Sequence, residues 1–314
     1  MVTSLALALD FGGTKAESAL IDDSGRVVAG SRFRAPTGRD ATSEHLARGV
    51  VSIIQQSIAS AAGSQIVGAG IGSAGPINRA KGLVSPLNVP GWRDYPLRQT
   101  VVDTLADRGL DIPVTLQMDG VAITMAEHWV GAARGIDNVM GMVISTGIGG
   151  GLIVGGRVVT GTSGNAGHIG HVEVAGMTGE STFGNAGALE AIASGPNTVA
   201  WARRQGFTGT TGEDLAAAHA AGDEVAIRAI QRTGQAVGQA ICTATALLDL
   251  EMVAIGGGFS QSTPDLFETI RETISHHHFA FVRKVRVLPS ALSGTGPLVG
   301  AGALIHRASL LAAD

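Results

Sequence analysis

The feature of this 314-residue chain that most restricts its fold is an internal duplication. An apolar run at residues 4–10 is followed by the glycine turn FGGTK and by two alternating stretches, AESALID and RVVAGSRFRA. The same order returns about half a chain later as the strand NVMGMVIST, the glycine turn GIGGG, and the strands LIVGG and RVVTG. The chain is therefore predicted to contain two similar halves, each opening with a strand, a glycine turn and a hairpin.

Between and after these repeats, short apolar runs alternate with segments of helical periodicity. Such alternation indicates an α/β fold, in which ligands bind outside the carboxyl ends of the strands. We expect two lobes that face a cleft. Further strands are predicted at 66–72, 112–117, 252–258 and 284–288, and helices at 42–62, 94–108, 120–132, 187–204, 211–220, 223–249, 263–277 and 297–312.

Composition excludes several classes of function. Hydrophobic residues make up 45% and charged residues 15%, as in a globular chain with a large core. The net charge is −4 and there is no basic tract, so we predict no nucleic-acid partner. No apolar run has membrane-spanning length, and MVTSLALALDFGG lacks the basic start of a signal peptide. The single cysteine, Cys242, is interpreted as a buried core thiol, and the chain is predicted to be cytoplasmic.

Three glycine turns at strand ends favour phosphate binding. In LDFGGTK, Asp10 ends a strand and Thr14 adds a hydroxyl to amides that carry no Cβ bulk. Asp10 could hold Mg²⁺ through water. STGIGGG and IGGGFSQS repeat the pattern at 145–151 and 255–262, although any one such turn can be a plain hairpin. None of them reads GxxxxGK[ST], so a P-loop is excluded.

A carboxylate and a histidine pair are the remaining candidates for chemistry. Asp119 stands where a strand meets a helix in VTLQMDGVAITMAEHW, and it is either a proton acceptor or an N-cap. His168 and His171 lie in NAGHIGHVEVAGMTGESTFGNAGALE, which could be a metal site, a catalytic site or a polar loop. SHHHF at 275–279 is read as polarity at a helix end.

The ordered motifs DFGGTK, GIGSAGPI, an Asp-headed helix, STGIGGGLIVGG, GHIGH, LEAIASG and IGGG resemble the ROK family of sugar kinases, repressors and related proteins. The resemblance implies the actin-like/hexokinase-like ATPase fold, an α/β fold of duplicated RNase H-like lobes. We place the small lobe at residues 1–118 plus 298–314, and the large lobe at 119–297. Because the first strand starts by residue 5, no helix-turn-helix of the repressor type is expected before it.

The resemblance also assigns ligands to the motifs. The two Thr/Gly loops would hold ATP phosphates with Mg²⁺, two glycines of the third turn would approach adenosine, and Asp119 would be the base. Polyphosphate stays open as an alternative donor. The ATP side implied in this way consists of Asp10, Gly12, Gly13, Thr14, Lys15, Thr146, Gly147, Gly149, Gly257 and Gly258. The sugar side consists of Gly75, Asn88, Asp119, His168, His171 and Glu190.

The chain departs from the family pattern at two places. Met118 replaces the Asn that commonly binds a sugar hydroxyl, and His168 replaces a Glu, as in the bacterial N-acetylmannosamine kinases that the AGHIGH motif resembles. The positions of the three zinc cysteines hold Ser181, Phe183 and Ala188, so no structural zinc is expected. Asn88 could contact sugar or make a turn, and His168, His171 and Glu190 could be scaffold.

The sequence thus predicts an ATP-dependent kinase for the C6 hydroxyl of an N-acetylhexosamine, with N-acetylmannosamine as the best candidate. A glucokinase, or a kinase for another hexose or N-acetylglucosamine, is the alternative within this class. A catalytically weak, sugar-sensing paralogue is the alternative from another class, suggested by Met118 and the missing cysteines. The resemblance further implies a homodimer, and we expect no membrane partner.

Overall fold

The computed structural model describes residues 4–180, 185–292 and 294–311. Contacts between Cα atoms divide the chain into two compact units. Unit 1 comprises Met1–Arg134, Gly151–Gly167 and Gly294–Asp314, and unit 2 comprises Gly135–Gly150 and His168–Ser293. The units are therefore not two simple halves of the sequence, because unit 1 takes up three separate stretches.

The sheet of unit 1 combines an antiparallel meander with two parallel strands. Its strands are β1 (Ser4–Phe11), β2 (Lys15–Asp22), β3 (Phe33–Pro36), β4 (Gln65–Ser73) and β7 (Val114–Met118), in the order β3-β2-β1-β4-β7. The pairs β1–β2 and β2–β3 are antiparallel, whereas β1–β4 and β4–β7 are parallel. Because β1 is buried along nearly its whole length, it reads as a continuous apolar run rather than an alternating one. A small hairpin follows β4 and consists of β5 (Ile77–Asn78) and β6 (Leu83–Val84).

The described part of unit 1 also contains the α-helices α1 (Ser43–Ala59), α2 (Leu97–Ala106), α3 (Asp119–Trp129) and α10 (Gly296–His306). Helix α1 packs on β2 and β3, and α10 packs on α3. A Cβ atom at Gly300 would lie 2.1 Å from the carbonyl oxygen of Ala122, so the glycine permits this close helix packing. The packing groups α3 with unit 1, whereas the predicted boundary put it in the large lobe. The lobe boundaries stay a prediction.

The second sheet repeats the plan of the first. Its strands are β8 (Val139–Ile144), β9 (Ile148–Val154), β10 (Arg157–Val159), β11 (Met252–Gly256) and β12 (Arg286–Pro289), in the order β10-β9-β8-β11-β12. The pair β9–β10 is antiparallel, and β11 lies parallel to both β8 and β12. The duplication read from the sequence is therefore confirmed.

The prediction that GIGGG forms a turn was wrong. The turn is confined to Ser145–Gly147, and the next glycines belong to β9. A Cβ atom at Gly151 would lie 2.4 Å from the carbonyl oxygen of Gly120. This strand glycine is therefore required by close backbone approach rather than by a turn.

Unit 2 carries the remaining helices. They are α4 (Leu189–Ala193), α5 (Gly195–Arg204), α6 (Gly212–Ala220), α7 (Glu224–Leu248), α8 (Pro264–Ser275) and α9 (Ala280–Arg283). The single helix predicted at 187–204 is divided, because Ser194 is extended and Pro196 opens a new helix. Cys242 is buried in α7, as predicted. Among the described residues, no helix is both long and apolar enough to cross a membrane.

Candidate active site

The glycine turn after β1 is held by Thr37, the residue that follows β3. The amide of Gly12 donates to the carbonyl oxygen of Lys15 (3.0 Å) and closes the turn. Thr37 is hydrogen-bonded to both ends of the turn. Its hydroxyl donates to the carbonyl oxygen of Gly12 (2.8 Å), and its amide donates to the carbonyl oxygen of Thr14 (3.0 Å). Thr14 itself is exposed and can reach a ligand. Sequence reasoning missed Thr37, because only the sheet brings it to this turn.

Two predicted sugar-side residues lie beside the same turn in unit 1. A Cβ atom at Gly13 would lie 3.2 Å from the Cβ of Asn88, so Asn88 sits directly against the glycine. The amide of Leu87, the neighbour of Asn88, donates to the carbonyl oxygen of Gly75 (3.3 Å). The structure thus brings Gly75 and Asn88 to the predicted phosphate turn.

Asn165 secures the segment after the Gly75 loop, and sequence reasoning missed it. Its Oδ1 accepts from the amide of Ile77 (2.9 Å), and its Nδ2 donates to the carbonyl oxygen of Ile77 (2.8 Å). The side chain therefore pairs with the β5 backbone as a neighbouring strand would. No sequence motif marks this contact.

Two carboxylates stand on either side of a glycine in unit 1. Asp10 and Gly72 are register partners in β1 and β4. A Cβ atom at Gly72 would lie 3.9 Å from Oδ1 of Asp10 and 3.7 Å from the Cα of Asp119. Asp10 is buried and Asp119 is half-buried. The missing side chain leaves room for the two acids in a site with little solvent.

The local geometry of Asp119 differs from a simple N-cap. Asp119 is the first residue of α3, and the N-cap is Met118, whose side chain makes no capping hydrogen bond. Oδ1 of Asp119 accepts from the amide of Gly120 (2.7 Å), which fixes the carboxylate. Met118 is buried, so its thioether belongs to the core.

Burial raises the pKa values of both carboxylates toward neutral pH. Burial, then the neighbouring Asp119 and Glu17, raise the pKa of Asp10 to about 7, against the opposing charges of Lys15 and Arg32. Burial raises the pKa of Asp119 to about 6, and the hydrogen bond from Gly120 opposes this rise. Acidic side chains whose pKa values are strongly shifted within one site are typical of catalytic centres.

Glu17 gathers the basic side chains around this site. It faces Asp10 across the β1–β2 pair and is 3% exposed. Lys15 Nζ lies 2.6 Å from its Oε2, and the guanidinium groups of Arg32 and Arg34 contact its Oε1 at 2.9 and 2.8 Å. Burial opposes ionisation, but the hydrogen bonds from Lys15 and Arg34 outweigh it and lower the pKa of Glu17. The structure therefore places the Lys15 ammonium, predicted for phosphate, on a carboxylate that sequence reasoning missed.

Asp10 and Gln117 offer oxygen atoms of the kind that magnesium prefers. Gln117 is the register partner of Gly72 on the side away from Asp10, so both side chains leave the same face of the sheet. Its Oε1 is buried and has no hydrogen-bond partner among the described residues. A buried amide oxygen of this kind calls for a ligand, and carboxylate and amide oxygens suit Mg²⁺ and its waters. No group of three or more His, Cys, Asp or Glu poised for a metal occurs in the described part of the chain.

In unit 2, Glu190 holds the turn that follows β8. The amide of Ser145 donates to the carbonyl oxygen of Gly147 (2.9 Å). The next amide, that of Ile148, donates to Oε2 of Glu190 (2.7 Å). A Cβ atom at Gly147 would lie 2.6 Å from the same oxygen. Glu190 thus supports the second predicted phosphate turn, and its contact with sugar stays a prediction.

The histidine pair lies on a short turn packed against β9. Ile169–His171 form a 3₁₀ turn, and a Cβ atom at Gly170 would lie 2.1 Å from the carbonyl oxygen of Ile148. The rings of His168 and His171 meet edge to face, with centroids 5.6 Å apart. Burial, and then the neighbouring His171, lower the pKa of His168. His168 is therefore a neutral imidazole at pH 7.

The positions aligned with the family's zinc cysteines are only partly visible. Ser181 and Phe183 lie outside the described residues. Ala188 is buried, and the residue after it, Leu189, donates its amide to the carbonyl oxygen of Val172 (2.9 Å). This bond joins the start of α4, which carries Glu190, to the residue after His171.

A cavity of about 510 Å³ opens beside the second turn and has the size of a small-molecule site. The ring of Phe259 lies between Gly195 and Gly212, where Cβ atoms would approach it to 3.1 and 3.2 Å. Gly257 has φ +99°, and a Cβ atom there would lie 2.4 Å from the Ile144 oxygen, so only glycine fits. The cavity is lined by Ser145, Thr146, Gly195, Pro196, Val199, Thr210, Thr211, Gly212, Glu213, Ala216, Gly258, Phe259, Gln261 and Ser262.

The structure therefore brings Thr146 and Gly258, both predicted for ATP, to one cavity, whereas Gly149 lies in β9. The polar groups of the cavity converge from the β8 turn and from the start of α6. Thr211 caps α6 and accepts from the amide of Asp214 (3.0 Å). Sequence reasoning missed Thr211 and Phe259, since cap and ring positions carry no motif. The described residues form an apolar floor with hydroxyl groups and one exposed acid, Glu213, at its rim.

Comparison with known proteins gives consistent matches. The model of the ROK family matches residues 6–308. A glucokinase of Thermotoga maritima is 30% identical over 96% of this chain and 97% of its own length. An N-acetylmannosamine kinase of Citrobacter koseri is 32% identical over 80% of this chain and 82% of its own length. A solved ROK family glucokinase of Streptomyces griseus, in complex with glucose and AMPPNP, has a TM-score of 0.81 at 26% identity, covering 96% of this chain and 99% of that one.

Proposed function

Because the chain belongs to the ROK family and is a sugar kinase, we propose that it transfers the γ-phosphoryl group of ATP to the C6 hydroxyl of N-acetylmannosamine. The observation that carries the choice of sugar is His168, a neutral imidazole where the family pattern has a carboxylate. A neutral ring can donate one hydrogen bond and accept another, whereas a carboxylate only accepts. This difference suits recognition of an N-acetyl group, which offers both a donor and an acceptor.

The cavity in unit 2 is proposed to bind the nucleoside of ATP. Its volume and its apolar floor at Phe259 suit a base, and the hydroxyl groups and amides near Thr146 suit phosphates. We assign the phosphates to the turn Ser145–Gly147 and to the turn Gly12–Thr14. Polyphosphate has no base to fill such a cavity, so the cavity supports ATP as the donor.

Asp119 is proposed to accept the proton of the attacking hydroxyl. The amide of Gly120 holds Oδ1, and we assign proton acceptance to Oδ2. A base with a pKa of about 6 is ionised at pH 7 and still basic enough to take a proton in the transition state. Asp10 and Gln117 would hold Mg²⁺ with its waters, and the ion would neutralise charge on the transferring phosphoryl group.

A coupled ADP-release assay on a panel of sugars tests this proposal. We expect the largest kcat/KM with N-acetylmannosamine, and lower values with glucose and N-acetylglucosamine. A preference for glucose, or for another hexose, would change the proposed sugar and leave the kinase activity in place. Sugar binding without turnover on any member of the panel would reject the kinase and support the sugar sensor. Running the panel with polyphosphate in place of ATP decides the donor.

The proposed enzyme is a homodimer that acts in the cytoplasm. The dimer is supported only by the family resemblance, and the compartment by the single cysteine of the chain. Analytical ultracentrifugation at micromolar concentration measures the mass. A monomer mass would remove the dimer from the proposal without affecting the chemistry.

A further inference from the structure

The segment between His171 and helix α4 is described at residues 172–180 and 185–188, and these two stretches pair with each other within unit 2. The amide of Val174 donates to the carbonyl oxygen of Gly187 (2.9 Å), and the amide of Gly179 donates to that of Ala186 (2.7 Å). An isolated β-bridge pairs Glu173 with Ala188. Two or three bonds of this kind give a short hairpin little stability of its own. The described parts of the segment, 172–180 and 185–188, therefore need outside support.

Arg232 supplies that support from the middle of α7. Its Nη1 donates to the carbonyl oxygen of Ile192 (2.8 Å), and its Nη2 donates to that of Thr178 (2.6 Å). The guanidinium group also lies over the ring of Trp201, 5.4 Å from the centroid. One planar group thus bridges the segment and helix α4 while it stacks on an aromatic ring, a combination that suits the rigid fork of Arg better than the compact ammonium of Lys.

The bridge reaches the predicted site through α4. Ile192 lies two residues after Glu190 on this helix, which has five residues. A Cβ atom at Gly179 would lie 1.8 Å from the carbonyl oxygen of Ala191, so the segment runs directly against the backbone of α4. Glu190 in turn accepts from Ile148 at the second phosphate turn. A shift of α4 would therefore move both Glu190 and the segment that follows His171.

We propose that Arg232 is a positioning residue that clamps the segment 172–180 and 185–188 to α4 and so sets the place of Glu190 and His171. The clamp consists of the Arg232 guanidinium and the carbonyl oxygens of Thr178 and Ile192. The proposal rests on the proposed function for its effect on the sugar, while the clamp itself is a property of the fold.

The test compares Arg232→Met with Arg228→Met in the full chain. Methionine keeps the apolar stem of Arg and removes its donors. Arg228 lies on the same helix, but its guanidinium is exposed and its ion pair with Glu224 spans 3.5 Å. Amide hydrogen exchange at Val174 and Gly179 reports on the clamp without any turnover. We expect exchange at least about 10-fold faster in Arg232→Met and unchanged in Arg228→Met, since bonds to charged groups are among the stronger ones.

Kinetics supply the second readout. Arg232→Met should raise the KM for sugar by about 10-fold or more, with a smaller change in the KM for ATP, and Arg232→Lys should restore only part of the loss. Unchanged exchange and an unchanged sugar KM in a folded Arg232→Met chain would overturn the proposal. A wild-type chain that phosphorylates no sugar would reject the proposed function, and the exchange data would then decide the clamp alone.

Discussion

The turn after β1 and the turn after β8 occupy equivalent places in two sheets of the same strand order, yet their surroundings differ in charge. The first has Asp10 at the strand end, a second acid in Asp119, and Glu17 with its three basic partners. The second has hydroxyl groups, backbone amides and the carboxylate of Glu190, which accepts a backbone hydrogen bond.

The difference shows what a duplicated fold keeps and what it changes. Strand order and turn position are kept, because they follow from backbone pairing and close packing. The side chains are free to diverge, so one turn collects titratable groups and the other borders a largely neutral cavity. In the proposed enzyme, proton and metal chemistry belong to the first turn, and nucleotide recognition belongs to the second.

The sharpest test of this division is Asp119→Asn against Thr146→Ala. Asparagine has the shape of Asp but cannot accept the proton, so we expect kcat to fall by about 10²–10⁴-fold. Thr146→Ala removes one hydroxyl from the second turn, and we expect about a 10-fold rise in the KM for ATP. Steady-state kinetics measure both, and calorimetry should find sugar binding retained in Asp119→Asn. An active Asp119→Asn enzyme would refute the assignment of Asp119 as the base.

The pH profile gives the same assignment a second check. The base must be ionised to act, so activity is lost as pH falls through the pKa of Asp119, about 6. The acid limb of kcat/KM should lie there. A limb near pH 4 would indicate a carboxylate of ordinary pKa and would remove Asp119 from the role.

Asp10→Asn tests whether the buried carboxylate at the first turn lowers the stability of the folded chain when it is ionised. The pKa of Asp10 is about 7 in the folded chain against an ordinary 3.8, so the folded state binds the proton more tightly. Stability is therefore lost as pH rises from about 4 to 7, with an upper limit of about 4 kcal/mol. Thermal unfolding without Mg²⁺ should show Asp10→Asn more stable than wild type at pH 8, and the gap should close at pH 4. Equal Tm values at pH 8 would contradict the raised pKa.

Much of this architecture could be predicted from the sequence, because strands, glycine turns and amphipathic helices leave local patterns. The duplicated opening predicted two similar halves, and the two sheets share one strand order. Thr146 and Gly258, both predicted for ATP, line one cavity, and their contact with ATP stays a prediction. Strand glycines misled the prediction at GIGGG, since a glycine needed for close approach looks like a glycine needed for a turn.

The missed residues share a physical cause. Thr37, Glu17 and Asn165 act through contacts between segments distant along the chain, and Arg232 acts through carbonyl oxygens 40 and 54 residues away. Such contacts depend on tertiary packing and leave no periodicity or motif. The residues proposed to contact ligands could be predicted from the sequence more readily than the residues that hold those side chains in position.

The smallest expected effect comes from alanine substitutions at matched glycines of the two turns. Neither Gly147 nor Gly13 has φ in the left-handed region, so each can adopt its backbone conformation as alanine. In Gly147→Ala the new Cβ would lie 2.6 Å from Oε2 of Glu190 and must displace that carboxylate from the amide of Ile148. We expect a loss of about 1–2 kcal/mol in the free energy of unfolding, the cost of a broken charge-assisted hydrogen bond.

In Gly13→Ala the nearest atom is the Cβ of Asn88 at 3.2 Å, and the exposed Asn88 can move by a few tenths of an ångström. We expect a change within about 0.5 kcal/mol. Urea unfolding of both variants measures the difference. Equal losses would argue that Glu190 does not hold the second turn, because the new Cβ meets that hydrogen-bonded carboxylate at Gly147 and a movable surface side chain at Gly13.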